Sequence, residues 1–380
     1  MKLMMRLFAT MLVSVACLSQ TTPPTSSHGY LPVSGGGQLY YEECGTGPAV
    51  ILLHDGLLHA VVWDDVWEPL CAKYRVLRYD RRGYGRSKAA TAPFSPVEDL
   101  LELMRNAHLD RATLVGSSSG TALALDFAIA HAERVEALFL IGPVVHGMRS
   151  SDYFVLRGNA ASAPLAQNDI RAAAENWSRD RFQISGERPD ARKKVFDTLV
   201  ANPQNFSVPG QWEERPSPPT VTRLSEIKAP TLVIVGENDI ADVHAFAGAI
   251  QAELPVVRRE VWKDDGHLIQ LEKPDELAKR IDAFITLAQR KTISLSERQL
   301  KQYTGDYAVG NSRATVAVKR GGLVLQLNRD ADIPLFAESD SRFLIRTTGT
   351  EILFERDARG RSSAMLIQNA GGTPVRCPRL

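Results

Sequence analysis

Gly116-Ser117-Ser118-Ser119-Gly120 places Ser118 between two glycines, each two positions away. That spacing suits a nucleophile on a sharp strand-to-helix turn, where the strained backbone tolerates only tiny neighbours and the strand and helix must pack closely. A helix starting directly behind the serine aims free N–H groups and a partial positive charge at the reacting centre. A serine hydroxyl needs a base and an orienting acid. Downstream, Gly236-Glu237-Asn238-Asp239 supplies Asp239 and Asp265-Gly266-His267 supplies His267. The expected chemistry is acyl transfer: Ser118 attacks an acyl carbon, His267 takes its proton, and Asp239 holds the imidazole tautomer. A lone Asp in a turn is usually a turn-former, and a lone His is usually surface or core. Three strand ends delivering the three residue types in the order Ser, Asp, His outweigh those readings. Glu237, Asp242, Asp264 and Asp265 rank behind Asp239 as the acid. His54-Asp55-Gly56-Leu57 follows another apolar run, so the N–H of Gly56 or of Leu57 is expected to join that of Ser119 as an oxyanion hole. His54 itself reads as packing for this loop.

The elements that must carry these residues are legible as alternating apolar runs and helical patterns, the signature of a mostly parallel sheet covered on both faces. Residues 49–53, 74–79, 112–115, 135–141, 230–235 and 256–262 read as strands, the first a continuous apolar run fit for burial on both sides. Residues 96–109, 121–131 and 274–288 read as helices, Pro96 sitting near a first turn. Ser118, Asp239 and His267 each follow a strand, at the edge where ligands collect in open parallel sheets. Residues 146–229 break the rhythm with polar, Pro-containing, helix-leaning sequence and are expected to form a lid over the site. Phe154, Tyr153, Trp177 and Trp212 belong to that lid; packing against the main domain is their expected role, with substrate contact the alternative. From about residue 295, strand-like runs separated by Gly321-Gly322, Thr348-Gly349-Thr350 and Asp357-Ala358-Arg359-Gly360 read as an antiparallel meander, hence a small β-barrel-like domain over 295–380.

Residues 36–290 resemble the α/β-hydrolase superfamily. The resemblance rests on His54-Asp55-Gly56 with Trp63 downstream, Asp80-Arg81-Arg82-Gly83-Tyr84-Gly85-Arg86-Ser87, the Ser118 turn, the Asp239 loop and Gly266-His267. It implies an α/β-hydrolase fold and hydrolysis of a carboxylic ester or related acyl substrate through an acyl-serine, with no cofactor. The same triad also serves amidases, aminopeptidases, lactonases and carbon–carbon bond hydrolases. A binding protein on a hydrolase scaffold is the rival from another class. Asp55 departs from the pattern, since relatives more often carry Gly there. A carboxylate beside a developing oxyanion is unhelpful, so its side chain is expected to point away. Residues 295–380 resemble the small β-domain appended to some serine hydrolases related to penicillin-binding proteins, through Leu295-Ser296 and Tyr303-Thr304-Gly305-Asp306-Tyr307.

A net charge of +1 gives no general pull toward nucleic acid or anionic lipid and says nothing more about the partner; a small-molecule substrate is what the hydrolase resemblance implies. No His-Glu-x-x-His, metal-spaced cluster or phosphate-binding Gly-x-x-x-x-Gly-Lys loop is present, and His59, His146 and His244 show no ligand spacing. Lys2 and Arg6 precede an apolar run at 7–18, too short to span a bilayer comfortably, so residues 1–19 read as a secretory signal peptide. Cys17 raises lipoprotein anchoring as the minority option. Residues 20–35 read as a tether. Export is therefore expected, to the periplasm or beyond. It would leave Cys44, Cys71 and Cys377, of which one pair at most can bond.

Overall fold

The computed structural model describes residues 26–380 apart from 208, 209, 211, 329, 331, 359 and 370. The signal-peptide reading of residues 1–19 and the anchoring option at Cys17 lie outside the described residues. Two sheets organise the rest. The first contains β1 (Ser26–Val33), β2 (Gly37–Cys44), β3 (Ala49–Leu53), β4 (Arg75–Asp80), β5 (Ala112–Ser117), β6 (Val135–Ile141), β7 (Thr231–Gly236) and β8 (Val257–Trp262), in spatial order β1-β2-β4-β3-β5-β6-β7-β8. Pairing is antiparallel from β1 through β2 to β4 and parallel from β4 to β8. Residues 26–33 therefore correct the tether expectation. They pair along their whole length with β2 as an edge strand.

Helices α1 (Asp64–Cys71), α2 (Pro96–Asn106), α3 (Ser119–Ala130), α4 (Asp152–Ser162), α5 (Ile170–Arg179), α6 (Pro189–Ala201), α7 (Ala241–Glu253), α8 (Ile269–Glu272) and α9 (Pro274–Ala288) complete the domain. The central strands bury both faces. Leu53, Leu114, Leu138 and Val233 join α2, α3 and α7 in one core, while Leu52, Val115, Phe139 and Ile234 join α1 and α9 in the other. This two-sided burial explains why the central strands read as unbroken apolar runs. Helix α3 is apolar around most of its circumference, with Leu123, Ala124, Leu125 and Phe127 all buried. It fixes the turn before it rigidly against the sheet. Helices α4 to α6 occupy the expected lid between β6 and β7. A disulfide joins Cys44, at the end of β2, to Cys71, at the end of α1, and Cys377 is free and buried.

The second sheet is a separate antiparallel meander, from β9 (Gly305–Val309) through β10 (Ser312–Lys319), β11 (Gly322–Leu327), β12 (Ile333–Ala337), β13 (Arg342–Ile345), β14 (Thr350–Arg356) and β15 (Ser362–Gln368) to β16 (Val375–Pro378). A bridge between Tyr307 and Arg379 brings its two edges together. The interior is filled by Tyr303, Tyr307, Phe343 and Phe354, whose rings contact one another. A short helix α10 (Glu297–Leu300), closed by a capping box between Ser296 and Gln299, leads into it. Arg290 at the end of the first domain pairs with Glu338 and Glu351 of the second. Together the two units are an α/β-hydrolase fold followed by a small antiparallel near-barrel.

Candidate active site

Ser118 stands at the junction of β5 and α3 with φ 52° and ψ −121°. L-residues rarely adopt that region, so the surroundings must over-determine it. They do: Ser118 N–H donates to Ile141 O at 2.9 Å, and its carbonyl accepts from Thr121 N at 2.8 Å. A Cβ on Gly120 would lie 2.3 Å from Leu53 O, and one on Gly116 would lie 2.7 Å from Gly120 O. Only glycine lets the turn close on its neighbours.

Asp239 follows β7 and His267 follows β8. His267 Nδ1 lies 2.8 Å from Asp239 Oδ2, while Asp239 Oδ1 accepts from Ile240 N–H at 2.7 Å. The carboxylate is thus acceptor to both, and the ring carries its proton on Nδ1, leaving Nε2 as the basic nitrogen. Burial of the ring pulls its pKa down. The charge and hydrogen bond of Asp239 more than reverse this, Asp55 adds to the rise and Arg157 opposes it, so the net shift is upward. Ser118, Asp239 and His267 line one cavity of about 170 Å³, together with Asp55, Gly56, Leu57, Phe154, Arg157, Trp177, Phe182, Gln183 and Ile240.

The other carboxylates near the acid position are engaged elsewhere. Asp265 pairs with Arg188 at 2.8 Å and Lys273 at 2.9 Å, Glu237 accepts from Asp264 N–H, and Asp242 accepts from Ser151. His54 is wholly buried. Its Nδ1 donates to Asp55 O at 2.7 Å, and its Nε2 accepts from Arg81 N–H at 2.9 Å, as a neutral ring requires. His59, His146 and His244 contact Asn205, Asp126 and Arg259 and do not line the cavity.

The oxyanion loop is arranged around Asp55. The residue lines the cavity, but its carboxylate is folded onto its own loop: Oδ1 accepts from both Leu57 N–H and Leu58 N–H at 2.7 Å, and Oδ2 is buried. Following backbone amides capture the carboxylate and hold it over the loop. Of the two candidate donors, Leu57 N–H is thereby taken. Gly56 sits against Ser119, where a Cβ on Gly56 would be 3.0 Å from Ser119 Oγ.

Sequence reading also missed residues. One amino group of Arg81 donates to Asp55 O at 2.8 Å and to Ser119 Oγ at 2.7 Å. Arg157 on α4 enters the cavity wall while paired with Asp180. The lid loop touches the base directly, because His267 N–H donates to Phe182 O at 2.7 Å. Among the lid aromatics, Phe154 and Trp177 line the cavity. Tyr153 is exposed, and Trp212 offers its carbonyl to Phe94 N–H. Among the described residues no group of three or more metal-ligating side chains gathers, and no helix is long and apolar enough to cross a membrane.

A model of the alpha/beta hydrolase family matches residues 50–280. The pimeloyl-[acyl-carrier protein] methyl ester esterase of Nitrosomonas europaea is 25% identical over 259 residues, 64% of this chain and 98% of that protein. The 2-hydroxy-6-oxo-6-phenylhexa-2,4-dienoate hydrolase of Comamonas testosteroni is 29% identical over 252 residues, 63% of this chain and 87% of that one. Among solved structures, Est816, described as an N-acyl homoserine lactone degrading enzyme, is 25% identical with a TM-score of 0.55, covering 68% of this chain and 100% of its own. A malate-bound thermophilic esterase from Thermogutta terrifontis shares the fold, with a TM-score of 0.58 at 22% identity, over 69% of this chain and 99% of its own.

Proposed function

The chain belongs to the alpha/beta hydrolase family, and on that premise we propose that it hydrolyses a carboxylic ester through an acyl-serine on Ser118. The observation that carries this is the gathering of Ser118, His267 and Asp239 on one cavity, with the His267–Asp239 contact at 2.8 Å. Ser118 Oγ attacks the carbonyl carbon as His267 Nε2 takes its proton. The resulting imidazolium is held by Asp239. The N–H groups of Ser119 and Gly56 receive the oxyanion, a role for which each donor is worth about 3 kcal/mol. His267 then passes its proton to the departing alkoxide. In the second half, water loses a proton to His267 and attacks the acyl carbon, releasing the acid and restoring Ser118. Leu57, Phe154, Trp177, Phe182 and Ile240 give the cavity an apolar wall, which suits an apolar acyl or alkoxy arm.

The test is fluorophosphonate labelling of the purified protein, with the modified peptide located by mass spectrometry. Label on Ser118 that His267→Ala abolishes supports the reading. Ser118→Ala is expected to lower turnover by roughly four to six orders of magnitude. A folded protein that takes no label and hydrolyses no ester sinks it.

Export is part of the same proposal. The basic and apolar start of the chain supports it, as does the Cys44–Cys71 disulfide, a bond that persists in oxidising compartments. N-terminal sequencing of the mature protein tests it: an intact Met1 argues against processing. We also read residues 295–380 as kin of the β-domains appended to hydrolases related to penicillin-binding proteins. Tyr303 and Tyr307 of the shared motif both lie in the core there.

A further inference from the structure

Helix α8 (Ile269–Glu272) is a single turn that begins two residues after the base. Two of its four side chains are polar, and both are buried: Gln270 wholly, and Glu272 through its carboxylate. Gln270 Nε2 donates to Ser117 Oγ at 3.0 Å, reaching the residue directly before the nucleophile. Its Oε1 has no partner among the described residues, an unusual state for a buried atom. The bond from Nε2 is therefore what this amide contributes. Glu272 Oε2 accepts from Gly266 N–H at 2.7 Å, reaching the residue directly before the base. The other oxygen, Oε1, accepts from Ser185 N–H of the lid at 2.5 Å. Arg188, also from the lid, donates to Glu272 O at 2.7 Å and to Asp265 Oδ1 at 2.8 Å.

Sheet pairing cannot do this work. Ser118 belongs to the turn after β5 and His267 to the loop after β8, and two strands lie between them in the sheet. The loop that carries the base also packs tightly on the lid, where a Cβ on Gly266 would lie 2.8 Å from Phe182 O. Within this frame Glu272 holds the residue before His267, and Gln270 holds the turn after it. Neither side chain lines the cavity, so neither can act on a substrate directly. What they can set is the separation of Ser118 and His267. Proton transfer needs the reacting atoms within hydrogen-bond reach, and a misplacement of about 1 Å can cost about 100-fold.

Building on the acyl-serine reading above, we infer that Gln270 and Glu272 are positioning residues that set His267 against Ser118. Gln270 ties the segment after the base to the nucleophile turn. Glu272 ties the segment before it to the lid, with Arg188 fixing the outer side of the same loop. A buried polar network that is held from both ends in this way rigidifies one geometry.

Gln270→Leu and Ser117→Ala cut one bond from its two ends, and Glu272→Gln replaces a charged acceptor by an amide of the same shape. Hydrolysis of an activated phenyl ester is to be measured for each, in the wild-type and the His267→Ala backgrounds, with folding checked by denaturant titration. In the wild-type background each variant should lower kcat by about tenfold or more, with KM changed by less than about threefold. Gln270→Leu and Ser117→Ala combined should lose no more than the worse of the two alone, since they remove the same bond. His267→Ala keeps the residual rate that binding and the oxyanion hole supply. There the same substitutions should cost less than about twofold, because the group they position is gone. Equal losses in both backgrounds overturn the inference, since the residues would then act on the fold or the oxyanion hole and not through the base. A kcat within about twofold of the wild type in folded Gln270→Leu and Ser117→Ala overturns it too, and this pair decides the matter if Glu272→Gln does not fold. Both results leave the acyl-serine reading standing. Absence of ester turnover and of label at Ser118 in the wild type overturns that reading, and the inference with it.

Discussion

Arg81 and Ser119 are joined by a 2.7 Å hydrogen bond from the guanidinium to Oγ, and the same amino group holds the Asp55 carbonyl at 2.8 Å. One side chain from the loop after β4 thus ties the loop after β3 to the turn after β5. Those two loops carry the assigned oxyanion donors, Gly56 and Ser119. Their separation is a catalytic dimension, since a donor displaced from the oxyanion forfeits most of its effect.

Arg81→Met is accordingly expected to lower kcat by about 10- to 100-fold, below the full cost of removing a donor, with KM changed far less. Arg81→Lys should recover part of the loss, because an ammonium can reach one acceptor but cannot reproduce the planar fork. Steady-state kinetics on one ester series decides this. Equal changes in kcat and KM for both variants would show that Arg81 does no more than hold the fold together.

The Cys44–Cys71 bond closes a loop with a sequence separation of 27, which includes β3, the oxyanion loop and α1. Chain-entropy arguments for a loop of that length give about 3.5 kcal/mol of stabilisation. Cys71→Ser should lower the unfolding free energy by roughly that amount in denaturant titrations under oxidising conditions. The wild type with reductant should fall to the same value. A loss under 1 kcal/mol in both would mean that native packing alone holds the loop.

His54 gives a stability prediction with a definite sign. Burial holds its pKa well below the ordinary histidine value, the Arg81 charge acts in the same direction, and the bond to Asp55 O resists only in part. In the unfolded chain a histidine titrates near about 6.5. Below that pH the unfolded chain binds a proton that the folded one refuses. The contribution of His54 is therefore fully present above this value and lost as pH falls beneath it, with a limiting slope of about 1.4 kcal/mol per pH unit. His54→Asn should be less stable than the wild type at pH 7.5, yet lose stability more slowly on going to pH 5. Parallel pH dependences would exclude His54 as the source.

What the sequence shows and hides follows from where specificity is encoded. Residues 49–53 and 112–115 announce themselves because strands buried on both faces need unbroken apolar runs. The turns after strands place Ser118, Asp239 and His267 by chain order alone. β1 is hidden because Ser26-Ser27-His28-Gly29 carries no apolar alternation; it is held by backbone pairing to β2, and most of its side chains remain exposed. Arg157 and Phe182 are hidden for a different reason. Which face of a lid helix meets the cavity depends on how the lid docks, and that docking runs through main-chain contacts such as His267 N–H to Phe182 O, on which side-chain type leaves no mark. Repulsion from an oxyanion predicts that the Asp55 carboxylate avoids the reacting centre, but the means are not legible in the sequence: two amides of its own loop hold Oδ1.

The pH dependence of turnover tests the charge arrangement around the base. His267 must be neutral to accept the Ser118 proton, so kcat/KM should rise with pH through its pKa in the free enzyme. Burial alone would place that limb below the ordinary histidine value. Asp239 outweighs burial and Asp55 assists it, so the limb should instead lie above the ordinary value. Two substitutions in the cavity wall should then move it in opposite directions. Asp55→Asn removes a negative charge that favours the imidazolium and should carry the acid limb to lower pH. Arg157→Met removes a positive charge that opposes the imidazolium and should carry it to higher pH. Loss of Arg157 also strands Asp180, whose other oxygen accepts from Phe182 N–H, so the Arg157 variant should show a lower plateau as well as a shifted limb. The plateau reports the lid and the limb reports the charge, which lets one profile separate them. Movement of both limbs in the same direction would mean that the variants act through loop position and that the charges of Asp55 and Arg157 do not set the base.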